Sequence, residues 1–526
     1  MPRPLADAAP ARRRPDLLVI MADQLAPSAL PFHGNPVTRT PAMSSLAESG
    51  VVFDAAYTAS PLCAPARASL LTGLLPSRTG VYDNAAELPA HVPTFAHYLR
   101  NAGYRTVLAG KMHFCGPDQM HGFEERLTTD VYPADFGWTP DWDHPDDRPS
   151  WYHDMSSVTE AGPCLRSNQL DFDDEVAFAA ERSLFGQVRS GDERPFCYVV
   201  SFTHPHDPFA IPREWWDLYR DAEIPMPHAV PGARLHPHER RLRAVCAMDG
   251  VRITADQVRA ARRAYYGAVS YVDDRISRLL AVLRDTGRLD NTVVVVTSDH
   301  GEMLGERGAW YKMSCYEGAA RVPLIVWSPP LFPAGRVPAA VSTMDLLPTL
   351  ADIAGLAEPA GGKSPPGLVG PLDGRSLLPH LSGRPDRDEA VAEYLAEGAI
   401  APIVMIRRGR HKFIGSPADP DQLFDLVADP HEQVNLAGDP GSADLADDFR
   451  REVAARWDLR ALDRDVRLSQ RRRLAVRQAL DTGAQAPWDF TPAYDASHRY
   501  IRSHMNLADL ERLARYPPAG SEGSRP

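Results

Sequence analysis

Two short apolar runs constrain the fold most: Phe196 to Phe202 (FCYVVSF) and Thr292 to Thr297 (TVVVVT). Each is shorter than an ordinary helix and apolar at successive positions, so each reads as a strand covered on both faces of a sheet. Asp16 to Met21 (DLLVIM), Thr106 to Ala109 and Val322 to Trp327 read the same way. Between the two strongest runs the spacing predicts a long helix, Ala255 to Asp285. Thr254 and Gln257 have capping-box spacing, Val258, Ala261, Tyr265, Ala268, Val272, Ile276, Leu279 and Leu283 recur every three or four residues, and Gly287 follows as a stop. That stripe is core packing. Strands alternating with helices predict an α/β fold with a large, mostly parallel sheet.

In an open α/β sheet, ligands bind beyond the carboxyl ends of the strands. Four predicted strands end here in Asp23-Gln24, Gly110-Lys111-Met112-His113, Thr203-His204-Pro205-His206-Asp207 and Ser298-Asp299-His300-Gly301. One such end is ordinary, since Asp caps turns and His sits on surfaces. Four on one edge point to a site. Asp23 and Asp299 brought together would repel, and a divalent cation relieves that repulsion. Oxygen ligands favour calcium or magnesium, whereas His300 beside Asp299 suits manganese or zinc. Lysines supply charge for an anionic substrate, and histidines can transfer protons.

Composition narrows the partners. The chain has 57 basic and 69 acidic residues among 526, a formal charge of −12. That balance argues against electrostatic binding of nucleic acid or anionic membranes. No apolar run approaches the roughly 20 residues of a membrane span. The Arg- and Pro-rich start, Met1 to Arg14, precedes too short an apolar run for a secretory signal, so a cytoplasmic protein is expected. Six cysteines without a CxxC pair suggest neither a zinc knuckle nor a disulfide framework. Lysine is rare. Lys111, Lys312, Lys363 and Lys412 stand alone in a chain that otherwise uses Arg, which makes each of them conspicuous.

The sharpest segment is Pro61 to Gly73, PLCAPARASLLTG, with a CxPxR core beginning at Cys63. Alone, CxPxR occurs by chance. The extended string resembles the signature of the sulfatase family, whose Cys becomes Cα-formylglycine after translation. Gly103 to His113 (GYRTVLAGKMH) resembles the family's second signature. The stretches PSRTGVYDNAAE, GKMHFCGPDQMHGFEERLTTDVYPADFGWTPDW, SFTHPHDP, SDHGEMLGERGAWYKM and the late HMNL are similar to the choline-sulfatase branch.

The resemblance implies an alkaline-phosphatase-like α/β sandwich with a catalytic domain over residues 1–380, a smaller α+β subdomain over 381–460, and an extended tail over 461–526 that serves oligomerisation and caps an active site. It implies hydrolysis of a sulfate ester, most closely choline-O-sulfate, through a formylglycine-hydrate nucleophile and a sulfo-enzyme intermediate. Catalytic roles fall on Cys63, Arg67, Lys111, His113, His204 and Lys312. His204 would protonate the leaving alkoxide, and His113 would take the second proton. Asp23, Asp299, His300 and residue 63 would hold one divalent metal, Ca2+ first and Mn2+ or Mg2+ next. Asn84 would lie near the sulfate. Trp138 and Glu393 would meet the choline ammonium, which offers no hydrogen-bond donor and is recognised by aromatic faces and anions. A formylglycine-generating maturation enzyme and a homo-oligomer, dimer or tetramer, are the implied partners. Gln24 and His300 depart from the commoner family pattern of Asp and Asn. Ala508 stands where the family tail carries an acid after Asn-Leu. Two rival readings remain: an arylsulfatase or a phosphonate monoester or phosphodiester hydrolase of the same superfamily, and an inactive osmolyte-binding protein.

Overall fold

A computed structural model describes residues 13–228, 235–356, 367–484, 486–493 and 505–517. The strands, in chain order, are β1 (Asp16–Ala22), β2 (Val51–Tyr57), β3 (Arg105–Gly110), β4 (Glu125–Arg126), β5 (Gly162–Cys164), β6 (Phe196–Phe202), β7 (Ala210–Pro212), β8 (Thr292–Thr297), β9 (Arg321–Trp327), β10 (Gly335–Ser342), β11 (Glu389–Tyr394), β12 (Ile403–Arg408), β13 (His411–Ser416) and β14 (Asp419–Asp425). Eight of them form one sheet in the order β10-β2-β9-β8-β1-β6-β3-β4. The pairs β8/β1, β1/β6 and β6/β3 are parallel, so these four strands end on one edge. The expected strand at Val322 to Trp327 is present as β9, but it runs antiparallel to both β8 and β2. The sheet is therefore mixed, and β2 ends on the same edge as β8.

Alternation along β1 explains why the runs are continuously apolar. Leu18, Ile20 and Ala22 enter one core, with Val272, Ile276 and Leu279 of the helix Ala255–Asp285. Leu17, Val19 and Met21 enter the opposite core, with Leu346, Leu347 and Leu350. All seven residues of β1 are buried. A fully buried aliphatic side chain contributes about 1.5–3 kcal/mol, so this double covering anchors the sheet. The Ala255–Asp285 helix has the expected limits, and Thr254 and Gln257 close the capping box.

Strands β11 to β14 form a separate antiparallel sheet. Its face packs against the helix Ala443–Arg456 through Phe413, Phe449 and Val453. A further helix, Leu459–Leu480, lies back over the catalytic edge. Its Arg473 grips both carboxylate oxygens of Asp83 at 2.6 Å, and its Arg467 donates to the Trp142 and Ile400 carbonyls. Residues 357–366, His504 of the HMNL segment, and residues 518–526 lie outside the described residues. No helix among the described residues is long and apolar enough to cross a membrane.

Candidate active site

Cys63 is the first residue of the helix Cys63–Thr72, which is buried along its whole length. The free N–H groups and dipole of that helix end favour negative charge at position 63. Arg67 follows one turn later, so its side chain returns along the same face. The guanidinium is fully buried. It donates to Asp299 Oδ2 at 2.8 Å, Asp23 Oδ2 at 3.1 Å, the Lys111 carbonyl at 2.6 Å and Ser201 Oγ at 2.9 Å. One side chain thus ties together the ends of β1, β3, β6 and β8.

Backbone geometry fixes Lys111 in place. Gly110 has φ +100°, and a Cβ there would lie 2.0 Å from the Ser201 carbonyl oxygen. Only glycine permits this approach of β3 to β6. Lys111 Nζ lies 3.6 Å from Cys63 Sγ, pairs with Asp23, and sits 4.2 Å from the centre of the Tyr132 ring. His300 Nε2 lies 3.2 Å from Cys63 Sγ. Burial raises the Cys63 pKa, but the charges of Lys111, Lys312 and His300 outweigh it and hold the thiol well below its usual range. Burial also disfavours the ammonium of Lys111, which Asp23 and Cys63 more than restore, so its pKa is raised. For Asp299, burial is overcome by Arg67 and His300, which keep it ionised below the usual carboxylate range.

Asp23, Cys63, Asp299 and His300 each offer a ligand atom, and these atoms all lie within 4.8 Å of one another. Asp23 Oδ1 is buried without a hydrogen-bond partner among the described residues. An orphaned carboxylate oxygen beside a second carboxylate and an imidazole fits a divalent cation.

Gln24, the residue after Asp23, does not face this cluster with its side chain. Its amide accepts from Lys312 Nζ at 2.6 Å and donates to Glu302 Oε2 at 2.5 Å. Lys312 also meets His206 Nε2 at 2.6 Å. Its ammonium is disfavoured by burial but raised overall by Cys63 and Asp207.

A small pocket opens above Cys63, lined among others by Asn84, Trp138, His206, Lys312 and Glu397. Asn84 Oδ1 accepts from the Ala64 N–H at 3.0 Å, and the Arg473–Asp83 pair holds its neighbour. Both ring nitrogens of His113 are buried without a hydrogen-bond partner among the described residues. Its ring lies 5.1 Å from Tyr132 and 5.7 Å from Trp138.

Two expectations need correction. His204 does not line the pocket. Its Nδ1 is 2.6 Å from Asp173 Oδ2, and its ring lies against Tyr271. The chain turns sharply after β6 and presents His206 instead. His206 Nδ1 donates to the Asp207 carbonyl at 2.7 Å, which leaves Nε2 as the acceptor for Lys312. Burial would raise Asp207, but His153 and His206 hold it well below the usual carboxylate range.

Glu393 is likewise not at the pocket. Its carboxylate accepts from the Ser77 N–H and Oγ and from Trp457 Nε1, each at 2.7 Å, locking the small sheet to the large one. The acid that reaches the pocket is Glu397, four residues on. Its Oε2 is buried with no hydrogen-bond partner among the described residues, and burial pushes its pKa up to about 7. Trp151 and Tyr152 complete the aromatic wall. Trp151 stacks on Trp138 at 6.2 Å and 16°, and Tyr152 meets Trp151 edge-on at 4.3 Å. The Trp-Tyr-His run at 151–153 was the unread signal for this wall.

Residues 15–356 match the sulfatase family model. The chain is also 48% identical to a choline-sulfatase of Rhizobium meliloti strain 1021, over 96% of this chain and 99% of that protein.

The chain belongs to the sulfatase family.

Residues 464–516 match the C-terminal region described for choline sulfatase enzymes, and residues 305–458 match the C-terminal region of N-sulphoglucosamine sulphohydrolase. Among solved structures, the fold is similar to a phosphonate monoester hydrolase of Agrobacterium radiobacter, with TM-score 0.66, 25% identity, and coverage of 86% of this chain and 96% of that one. A 2-O GAG sulfatase shares the fold at TM-score 0.64 and 22% identity, with 84% of this chain and 92% of that one covered. These likenesses agree with the expected alkaline-phosphatase-like α/β architecture.

Proposed function

We propose that this sulfatase hydrolyses choline-O-sulfate to choline and sulfate. The observation that carries the reading is the lining of the pocket. It gathers Cys63, Lys312 and His206 together with Trp138, Trp151, Tyr152 and Glu397, whose Oε2 has no hydrogen-bond partner among the described residues. A small ester with an anionic sulfate at one end and a quaternary ammonium at the other matches both. The 48% identity to a choline-sulfatase supports the same substrate.

Asp23, Asp299, His300 and residue 63 would hold the divalent cation, with calcium favoured by the carboxylates and manganese or magnesium next. That cation would supply charge neutralisation, and residue 63, converted to Cα-formylglycine by a maturation enzyme, would supply a hydrated-aldehyde nucleophile that regenerates without an external acceptor. Lys111 and Lys312 bind the sulfate oxygens and offset charge developing on them. Arg67 fixes both aspartates. The Lys312–His206 pair holds the proton passed to the leaving choline oxygen. His113, buried beside Cys63, takes the proton that permits sulfate release.

A substrate series tests this. Wild type is expected to turn over choline sulfate faster than an aryl sulfate or a phosphonate monoester; dominant phosphonate activity would overturn the assignment. Trp138→Ala should raise KM for choline sulfate about tenfold and Glu397→Gln about 10–100-fold, with little change for a neutral alkyl sulfate of equal length. Equal losses on both substrates would instead make these residues packing elements.

The pH dependence follows from Glu397. Its acid form is neutral, and only the carboxylate attracts the ammonium. With a pKa near 7 in the free protein, the ionised fraction rises from about one tenth at pH 6 to about nine tenths at pH 8. KM for choline sulfate should fall roughly ninefold over that range, and the neutral ester or Glu397→Gln should lack this component.

Glu393→Gln gives the opposite pattern. It unbalances buried hydrogen bonds to Ser77 and Trp457, so stability should drop by about 1–3 kcal/mol. KM for choline sulfate should stay at the wild-type value, measured beside the denaturation midpoint.

A further inference from the structure

Lys312 is buried at the pocket, yet among the described residues no carboxylate pairs with its ammonium. An ammonium carries three N–H donors and no acceptor. One donor goes to Gln24 Oε1 and a second to His206 Nε2, each at 2.6 Å. The third is left for the pocket, which Lys312 lines together with Cys63. The direction of that third N–H is therefore set by the other two partners.

Gln24 is locked in turn. Its Nε2 donates to Glu302 Oε2 at 2.5 Å and to Asp207 Oδ1 at 3.3 Å. The amide oxygen cannot face two carboxylates, and the amide NH2 cannot face an ammonium, so the neighbours allow one orientation. Glu302 also reaches Lys312 through the backbone. Its other oxygen accepts from the N–H of Leu304 at 2.9 Å and of Tyr311 at 2.6 Å. Tyr311 and Met313, on either side of Lys312, have φ +69° and +71°, left-handed conformations that side-chain-bearing residues seldom adopt. Such backbone persists only where its surroundings hold it. The Tyr311 carbonyl accepts from the Met303 N–H at 2.8 Å, and the Met313 N–H donates to the Pro61 carbonyl at 3.1 Å. Pro61 stands two residues before Cys63, so the Lys312 loop is registered against the segment that carries position 63.

We propose that Gln24 and Glu302 are positioning residues that aim the third N–H of Lys312 at the sulfate group of the substrate. The proposal rests on the reading of Lys312 as a sulfate-binding group. Gln24 acts as an adaptor of polarity, satisfying two acids with its NH2 and offering the ammonium a neutral oxygen. The neutrality matters. A carboxylate at that point would offset the charge of Lys312 and compete with the sulfate, whereas an amide oxygen orients the ammonium and leaves its charge for the anion. Leucine at position 24 would supply neither donor nor acceptor, and glutamate would crowd a third carboxylate against Glu302 and Asp207.

The test measures kcat and KM for a sulfate ester, the inhibition constant of inorganic sulfate, and the thermal midpoint, on the full chain carrying its active-site metal. Lys312→Met sets the reference. It should lower kcat about 100–1,000-fold and weaken sulfate inhibition. If it does neither, the reading of Lys312 fails and the positioning role falls with it. Glu302→Gln and Gln24→Glu should each lower kcat/KM about 10–100-fold and weaken sulfate inhibition in proportion. The reciprocal Gln24→Glu/Glu302→Gln variant again sets a donor at 302 against an acceptor at 24. It should recover about tenfold over Gln24→Glu and stay below wild type. If Lys312→Met is impaired while both single variants keep wild-type kcat and sulfate inhibition, with only a lower midpoint, the two residues serve folding alone and the proposal is overturned, with the reading of Lys312 left standing. Equal losses in the reciprocal variant and both single variants would overturn it as well.

Discussion

Cys63→Ala is expected to lower kcat for sulfate ester hydrolysis by at least about 10⁴-fold with the fold intact. Only the group on Cβ is lost, the thiol that would become the aldehyde, from a site whose backbone is set by a buried helix and by Arg67 rather than by the Cys63 side chain. What remains would be Lys111, Lys312, His206 and His113 around a position with no nucleophile. Binding and charge stabilisation survive, and they support only residual turnover. The measurement is kcat beside the thermal midpoint. Retention of more than about one per cent of wild-type kcat would move the nucleophile elsewhere. Peptide mass across residue 63 in active wild type adds a second readout. Conversion of the thiol to an aldehyde makes that peptide lighter, and an unmodified thiol in fully active protein would exclude the formylglycine mechanism.

The second large effect belongs to Arg67. Its guanidinium is charged at all working pH values, since Asp299 and Asp23 overcome the penalty of burial and raise its pKa further. Arg67→Ala leaves two buried aspartates without their shared partner and orphans the Lys111 carbonyl. Removing one side of a buried ion pair costs about 3–5 kcal/mol, so a large drop in thermal midpoint should accompany loss of turnover. A cation held by Asp23 and Asp299 would neutralise the same carboxylates as Arg67. Chelation should therefore lower the midpoint more in Arg67→Ala than in wild type. A variant that melts with wild type, with and without chelator, would show that the guanidinium is dispensable to this edge.

The reach of sequence reasoning can be judged from particular residues. Asp23, Lys111, Asp299 and His300 were legible because each directly follows an apolar run, and parallel strands must deliver their ends to one edge. Cys63 and Arg67 were legible through the CxPxR string, and the structure unites all six around one point. Strands β2 and β10 escaped notice. Val51–Tyr57 carries an Asp and two Ala, and Gly335–Ser342 begins with Gly-Arg and contains a Pro, so neither shows a strong apolar pattern. They lie toward the far side of the sheet from β1, where pairing with neighbours outweighs intrinsic preference.

His204 and His206 differ by two positions, as do residues on one strand face. Beyond Phe202 the strand period no longer applies, and the turn decides which ring faces the pocket. Glu393 and Glu397 show the same limit. Both lie near the end of β11, yet one meets Ser77 and Trp457 while the other passes the strand end into the aromatic wall.

Local patterning was enough to determine the α/β class, the edge that carries the candidate site and the residues gathered at its centre, because buried strands and a contiguous signature leave marks within a few residues. Which histidine and which acid line the pocket were decided only by tertiary structure. Those choices depend on loop turns and on partners far along the chain, such as Asp173 for His204 and Ser77 for Glu393, whose contacts leave no periodic trace in the sequence.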